Sequence, residues 1–123
     1  MLRAFHILAG TVSLFLALPG QAAELVMVEQ PGCHYCERWD HEIAGIWPKT
    51  QAGQHAPLRR AQLYDKPDDL KYARPVMFTP TFIIMEDGRE LARLEGYPGE
   101  DFFWWLIEDL LAKETGLVIN KGD

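Results

Sequence analysis

The residues best suited to chemistry are the thiols of Cys33 and Cys36, the two cysteines of this 123-residue chain, set as Cys33-His34-Tyr35-Cys36. A pair at that spacing can be a structural bridge, half of a metal site or a redox couple. As a bridge it encloses only His34 and Tyr35, and loop-closure stabilisation is small for so short a loop. As a metal site it would draw on His34 and His41 for zinc or copper. His34, directly after Cys33, points elsewhere on a helix, and no second Cys-x-x-Cys or His-x-x-x-His completes the set. Covalent haem attachment needs histidine straight after the second cysteine, and Glu37 stands there. The redox couple is the reading that remains, with no metal and no cofactor.

That chemistry needs a helix start. Leu25-Val26-Met27-Val28 is a short continuous apolar run, as expected of a strand buried on both faces. Gln30-Pro31-Gly32 breaks it. Trp39, Ile43, Ile46 and Trp47 then follow helical spacing, which predicts a helix from Cys33 to about Trp47, stopped by Pro48. Free N–H groups and the dipole at a helix start favour an anion, so a cysteine there has its thiolate stabilised. The thiolate is the attacking species in disulfide exchange. Cys33 is therefore expected to attack, and Cys36, one turn later, to resolve. His34 offers positive charge beside the thiolate, and Tyr35 a contact or packing surface.

The rest of the chain supplies the frame. Leu58 to Leu63 is a weaker strand containing Arg59 and Arg60. Pro67-Asp68-Asp69 has the marks of a helix start, closed by Pro75. Thr81-Phe82-Ile83-Ile84-Met85 is a strong strand. Glu86-Asp87-Gly88-Arg89 is a hairpin turn leading into a strand from Glu90 to Glu95. After Gly96-Tyr97-Pro98-Gly99, Glu100 to Lys113 is an amphipathic helix with apolar positions Phe102, Phe103, Leu106, Ile107, Leu110 and Leu111. Gly116 is its stop. The expected order is β-α-β-α-β-β-α, an α/β fold with a central mixed sheet of about four strands flanked by helices. His41 and His55 have no partner visible in the sequence and are expected at the surface. Trp39, Trp47, Trp104 and Trp105 are expected to pack, with one of the adjacent pair facing outwards.

Residues 1–22 are expected to be a secretory signal peptide: Arg3 near the start, an apolar stretch from Ile7 to Leu18, and a small-x-small pattern at Gly20 and Ala22. The stretch falls short of the ~20 residues that span a bilayer. Residues 23–123 then form one domain with one core. A formal charge of −6 without a basic stripe argues against nucleic acid as a partner.

Leu25–Val28, Cys33–Cys36, Thr79-Pro80-Thr81-Phe82, Asp87-Gly88 and Gly96 together resemble the thioredoxin superfamily from Glu24 to about Gly116. Pro31-Gly32-Cys33-His34-Tyr35-Cys36-Glu37-Arg38-Trp39 after an export signal more narrowly resembles the SoxS family, periplasmic thioredoxins of bacterial sulfur-oxidation clusters. The resemblance implies a thioredoxin fold in which Pro80 is cis and opposite the cysteines, leaving the backbone of Thr79 free to pair with an extended partner segment. It implies a substrate-binding set of Gly32, His34, Tyr35, Thr79 and Pro80. Two departures from ordinary thioredoxins stand out. Gly32 replaces the tryptophan before the first cysteine, with His34-Tyr35 in place of Gly-Pro. Met27 replaces the buried aspartate six residues before it, so the proton step at Cys36 must use water or another group such as Glu29.

The resemblance further implies a monomeric periplasmic reductase for a disulfide or modified cysteine of a partner protein, with the sulfur carrier SoxYZ favoured and a membrane thiol transporter as electron donor. General periplasmic disulfide reduction or isomerisation, or reduction during cytochrome c maturation, is a second reading. A non-catalytic binding module or metallochaperone is a third, and it requires Cys36 to be dispensable. The sequence leaves the direction of electron flow open.

Overall fold

The computed structural model describes residues 10, 12–14 and 23–122. Apart from those four positions, the signal-peptide reading of residues 1–22 lies outside the described residues. No helix among the described residues is long and apolar enough to cross a membrane.

Four strands make one sheet: β1 (Glu24–Glu29), β2 (Leu58–Gln62), β3 (Thr81–Glu86) and β4 (Arg89–Glu95), in the order β2-β1-β3-β4. β1 runs parallel to β2 and antiparallel to β3, and β3 and β4 form an antiparallel hairpin. The mixed sheet expected from the sequence is thus present. Leu25 to Val28 are buried on both faces, which is why that run does not alternate. The hairpin turn places Asp87 and Gly88 at positive φ, the geometry that favours Asp-Gly in two-residue turns. Gly88 has a second reason: a Cβ there would lie 2.6 Å from the carbonyl oxygen of Asp69.

Side-chain alternation divides the core into two layers. On one face Leu25, Met27, Phe82 and Ile84 pack against Trp39, Ile43 and Trp47 and against α3 (Glu100–Thr115). Phe103 of α3 is fully buried there, its ring in contact with those of Trp39, Trp47, Phe82, Tyr97 and Trp104. On the other face Val26, Val28, Ala61, Ile83 and Met85 are covered by Leu70, Leu63, Tyr72 and Val76.

Three expectations need correction. The helix expected from Pro67 is absent, leaving a turn followed by irregular chain. Lys71 instead exchanges backbone hydrogen bonds with Gly88 and Glu90, and pairing with the edge of β4 outcompetes a helix that two prolines would confine to about two turns. The segment is pinned further by Arg93 and Glu90, a buried ion pair on this face. A bulge opposite Ile84 and Met85 in the β3–β4 register puts Glu90 and Arg93 on the same side of β4. Arg93 donates to the carbonyls of Arg74 and Pro75, and Glu90 accepts from the N–H of Ala73.

The helix after Cys33 is also more broken than expected. It consists of α1 (His34–Trp39), a π turn at Asp40–Ala44, a 3₁₀ turn at Trp47–Lys49 and α2 (Gln51–His55). Pro48 does not end a helix; it sits in the first turn of the 3₁₀ segment, where its missing N–H costs nothing. In α3, Phe103, Ile107 and Leu111 are buried, whereas Phe102 and Trp105 are exposed: one helix face meets one sheet, so only the i, i+4, i+8 row is enclosed. Trp104 stacks on Trp47, so the outward member of the pair is Trp105. Finally, His55 is half-buried rather than at the surface, hydrogen-bonded to Thr115 at 2.7 Å.

Candidate active site

The site is built where β1 ends. Gly32 has φ +76°, a conformation that only glycine adopts freely, and it turns the chain so that Cys33 becomes the N-cap of α1. The two sulfurs are bonded, with Cα atoms 5.2 Å apart. The backbone N–H of Cys36 donates to Cys33 Sγ at 3.2 Å, so an unpaired helix donor is aimed at the first sulfur. Cys33 is half-buried, while Cys36 is 4% exposed. His34 and Tyr35 point outwards, ring edge against ring face.

The second wall comes from the chain before β3. The Thr79–Pro80 peptide is cis. Pro80 accepts a hydrogen bond from the N–H of Gly96 at 2.8 Å, which ties this loop to the end of β4. No protein group among the described residues pairs with the backbone N–H or C=O of Thr79. Tyr35, Thr79, Pro80, Gly96, Tyr97 and Pro98 line a shallow cavity of about 300 Å³. The structure thus brings Tyr35, Thr79 and Pro80 together, with Phe78 and Met77 exposed alongside in sequence. Gly32, Cys33 and Cys36 line a separate cavity of about 230 Å³ with Glu29, Gln30 and Asp40.

Behind Cys36 the departure at Met27 has a structural counterpart. Met27 is fully buried and in register with Arg60 of β2. The Arg60 guanidinium lies 3.7 Å from Met27 Sδ, donates to Asp40 at 2.7 Å and to Glu29 at 2.6 Å, and lies over the Trp39 ring. The hydrogen bond to Asp40 and then that to Glu29 raise the Arg60 pKa against the cost of desolvation. Glu29, the group suggested by the sequence for proton transfer, therefore lies in the wall of the Cys36 cavity with its carboxylate engaged by a cation.

Across the outer rim, Tyr97 donates to Glu42 at 2.7 Å and Arg38 donates to the same carboxylate at 2.6 Å. The Tyr97 bond and then the Arg38 bond hold Glu42 below the usual carboxylate range. Burial, and next the acceptor Glu42, push the Tyr97 hydroxyl up. This links the helix bearing Cys36 to the loop before α3. Among the described residues no group of three or more histidine, cysteine or acidic side chains is placed to hold a metal ion.

The sequence reading passed over Gln30, Arg60 and Tyr97. A charged residue inside the short strand Leu58 to Leu63 was the available signal for Arg60; the partners of all three lie at long sequence separations that no local pattern displays.

A family model described as thioredoxin-like domain matches residues 17–111. Among solved structures, the chain is 53% identical to the periplasmic thioredoxin SoxS from Paracoccus pantotrophus in its reduced form, over 74% of this chain and 97% of that one, with a TM-score of 0.72. A thioredoxin-fold protein from Helicobacter pylori is 21% identical over 84% of this chain and 75% of that one, with a TM-score of 0.54. The Malassezia sympodialis thioredoxin is 16% identical over 73% and 76%, with a TM-score of 0.53. The last two show likeness of fold alone. No curated protein matches.

Proposed function

The chain belongs to the thioredoxin-like family as a thiol–disulfide oxidoreductase close to SoxS, and from that premise we propose that it is a periplasmic reductase dedicated to a cysteine of a sulfur-carrier partner of the SoxYZ type. The observation that carries this reading is the 53% identity sustained over 97% of SoxS, together with the placement of Cys33-His34-Tyr35-Cys36 at a helix start in this chain.

In the proposed cycle the reduced chain presents Cys33 as a thiolate. It attacks one sulfur of the partner disulfide, forming a mixed disulfide and releasing the other sulfur as a thiolate, which takes up a proton. Cys36 loses its proton and attacks Cys33 Sγ. The partner leaves as a second thiol and Cys33–Cys36 is left oxidised, as in this structure. Two electrons have passed to the partner, and a membrane thiol transporter restores them. Gly32, His34 and Tyr35 on one side and Thr79 and Pro80 on the other receive the partner segment, with the Thr79 backbone pairing to it as an added strand. Export of residues 23–123 after removal of 1–22, and action as a monomer, belong to the same proposal.

The test is a trap. Cys36→Ser lacks the resolving thiol, so mixed disulfides on Cys33 accumulate in periplasm. One dominant partner with a carrier cysteine, released by reductant, is expected. A broad set of exported proteins would replace the dedicated role with general disulfide repair. Retention of full activity by Cys36→Ser would make the chain a binding module.

A further inference from the structure

We propose that Gln30 is a positioning residue that locks the Thr79–Pro80 loop against the Cys33 loop and so sets the partner-binding edge. The inference rests on the oxidoreductase reading above. Gln30 Nε2 donates to Thr79 Oγ1 at 2.8 Å, a partly buried bond between residues 49 apart in sequence. Gln30 follows the last residue of β1 and precedes Cys33 by three positions, lining the cavity that holds both cysteines. Thr79 lines the separate cavity that Tyr35 shares with Pro80. The hydrogen bond therefore joins the linings of the two cavities through side chains alone.

Its position gives it a particular consequence. Among the described residues no protein group pairs with the backbone N–H or C=O of Thr79, and an extended segment can use them only if they are held at a fixed direction and distance from Cys33 Sγ. The neighbouring bonds, from the Gly96 N–H to the Pro80 carbonyl and from Thr81 Oγ1 to the Phe78 carbonyl, hold the chain on either side of Thr79, and the Gln30 bond adds the restraint on Thr79 itself, next to the largely exposed Met77 and Phe78. Fixing the Thr79 side chain on β1 side orients its backbone outwards and reduces the ordering cost of binding. A small disulfide is turned over by Cys33 and Cys36 without an extended segment to pair with that edge.

The experiment compares two substrates of the full chain: the disulfide-linked dimer of an extended nine-residue cysteine peptide, and 2-hydroxyethyl disulfide. Gln30→Met keeps the side-chain length and removes the donor; Thr79→Val keeps the shape and removes the acceptor. Each is expected to raise KM for the peptide disulfide roughly five- to tenfold more than for the small one, the loss of one neutral hydrogen bond. In the double variant the effect is expected to be no greater than in either alone, because both remove the same bond. Equal losses on both substrates, or additive effects, would overturn the positioning role and leave Gln30 a general structural residue. An unsubstituted chain inactive on both substrates would instead overturn the oxidoreductase reading itself.

Discussion

The backbone N–H of Cys36 points at Cys33 Sγ across 3.2 Å, and Cys36 Sγ belongs to a residue only 4% exposed. The two thiols, once reduced, are therefore chemically unequal: one has a donor aimed at its sulfur and partial access to solvent, the other neither advantage. Limited alkylation of the reduced chain with iodoacetamide at pH 7 is expected to label Cys33 at least about tenfold faster than Cys36. Peptide mapping by mass spectrometry reads the ratio, and equal labelling would remove the basis for assigning Cys33 as the attacking thiol.

Arg60 spans Glu29 and Asp40 beside the Cys36 cavity. Arg60→Met would leave those two carboxylates without their cation. Negative charge near Cys36 disfavours its thiolate, so resolution of the mixed disulfide is expected to slow roughly three- to tenfold at neutral pH, the size of a partly screened charge interaction. Stopped-flow kinetics with a preformed mixed disulfide on Cys33 measure this step. An unchanged rate would mean that the proton of Cys36 leaves without feeling this cluster.

The Glu90–Arg93 pair has both side chains 4% exposed. Arg93→Met strands a buried carboxylate and is expected to cost about 3–5 kcal/mol in denaturant unfolding at pH 7. Burial pushes Glu90 up, but Arg93, followed by the Ala73 N–H, outweighs it and leaves the group below its usual range. A depressed carboxylate contributes stability that is present above its unfolded value, about 4.3, and is lost as pH falls through the folded value. The gap between the unsubstituted chain and Arg93→Met is thus expected to be widest near pH 7 and to shrink below about pH 4. A gap independent of pH would show that Glu90 is not the group being stabilised.

Gly53 lies inside α2, where alanine would ordinarily stabilise by about 0.4–1 kcal/mol. A Cβ at Gly53 would sit 1.7 Å from the carbonyl oxygen of Trp47, which is backbone and cannot swing aside. Gly53→Ala is therefore expected to destabilise by about 3 kcal/mol or more, read as a lower denaturant midpoint. A neutral result would mean that the 3₁₀ turn at Trp47–Lys49 relaxes freely.

What the sequence determined by itself is local or periodic. The buried run Leu25–Val28, the Asp87-Gly88 turn, the strand Thr81–Met85, the α3 helix ended by Gly116 at φ +72°, and the Cys-x-x-Cys at a helix start are each written in a few adjacent residues. Their physical causes act within one turn or one strand: burial on two faces, positive φ, a repeating row of apolar side chains, an N-cap. Tertiary structure alone decided what depends on competition between distant partners. The Pro67 segment had adequate helix signals, yet the open edge of β4 and the Glu90–Arg93 pair, brought to one face by a bulge, took its backbone instead. The same holds for the reach of Gln30 to Thr79 and of Arg60 to Glu29 and Asp40. Hydrogen bonds and ion pairs depend on the positions of both partners, and residues 49 or 20 apart acquire those positions only when the sheet has formed.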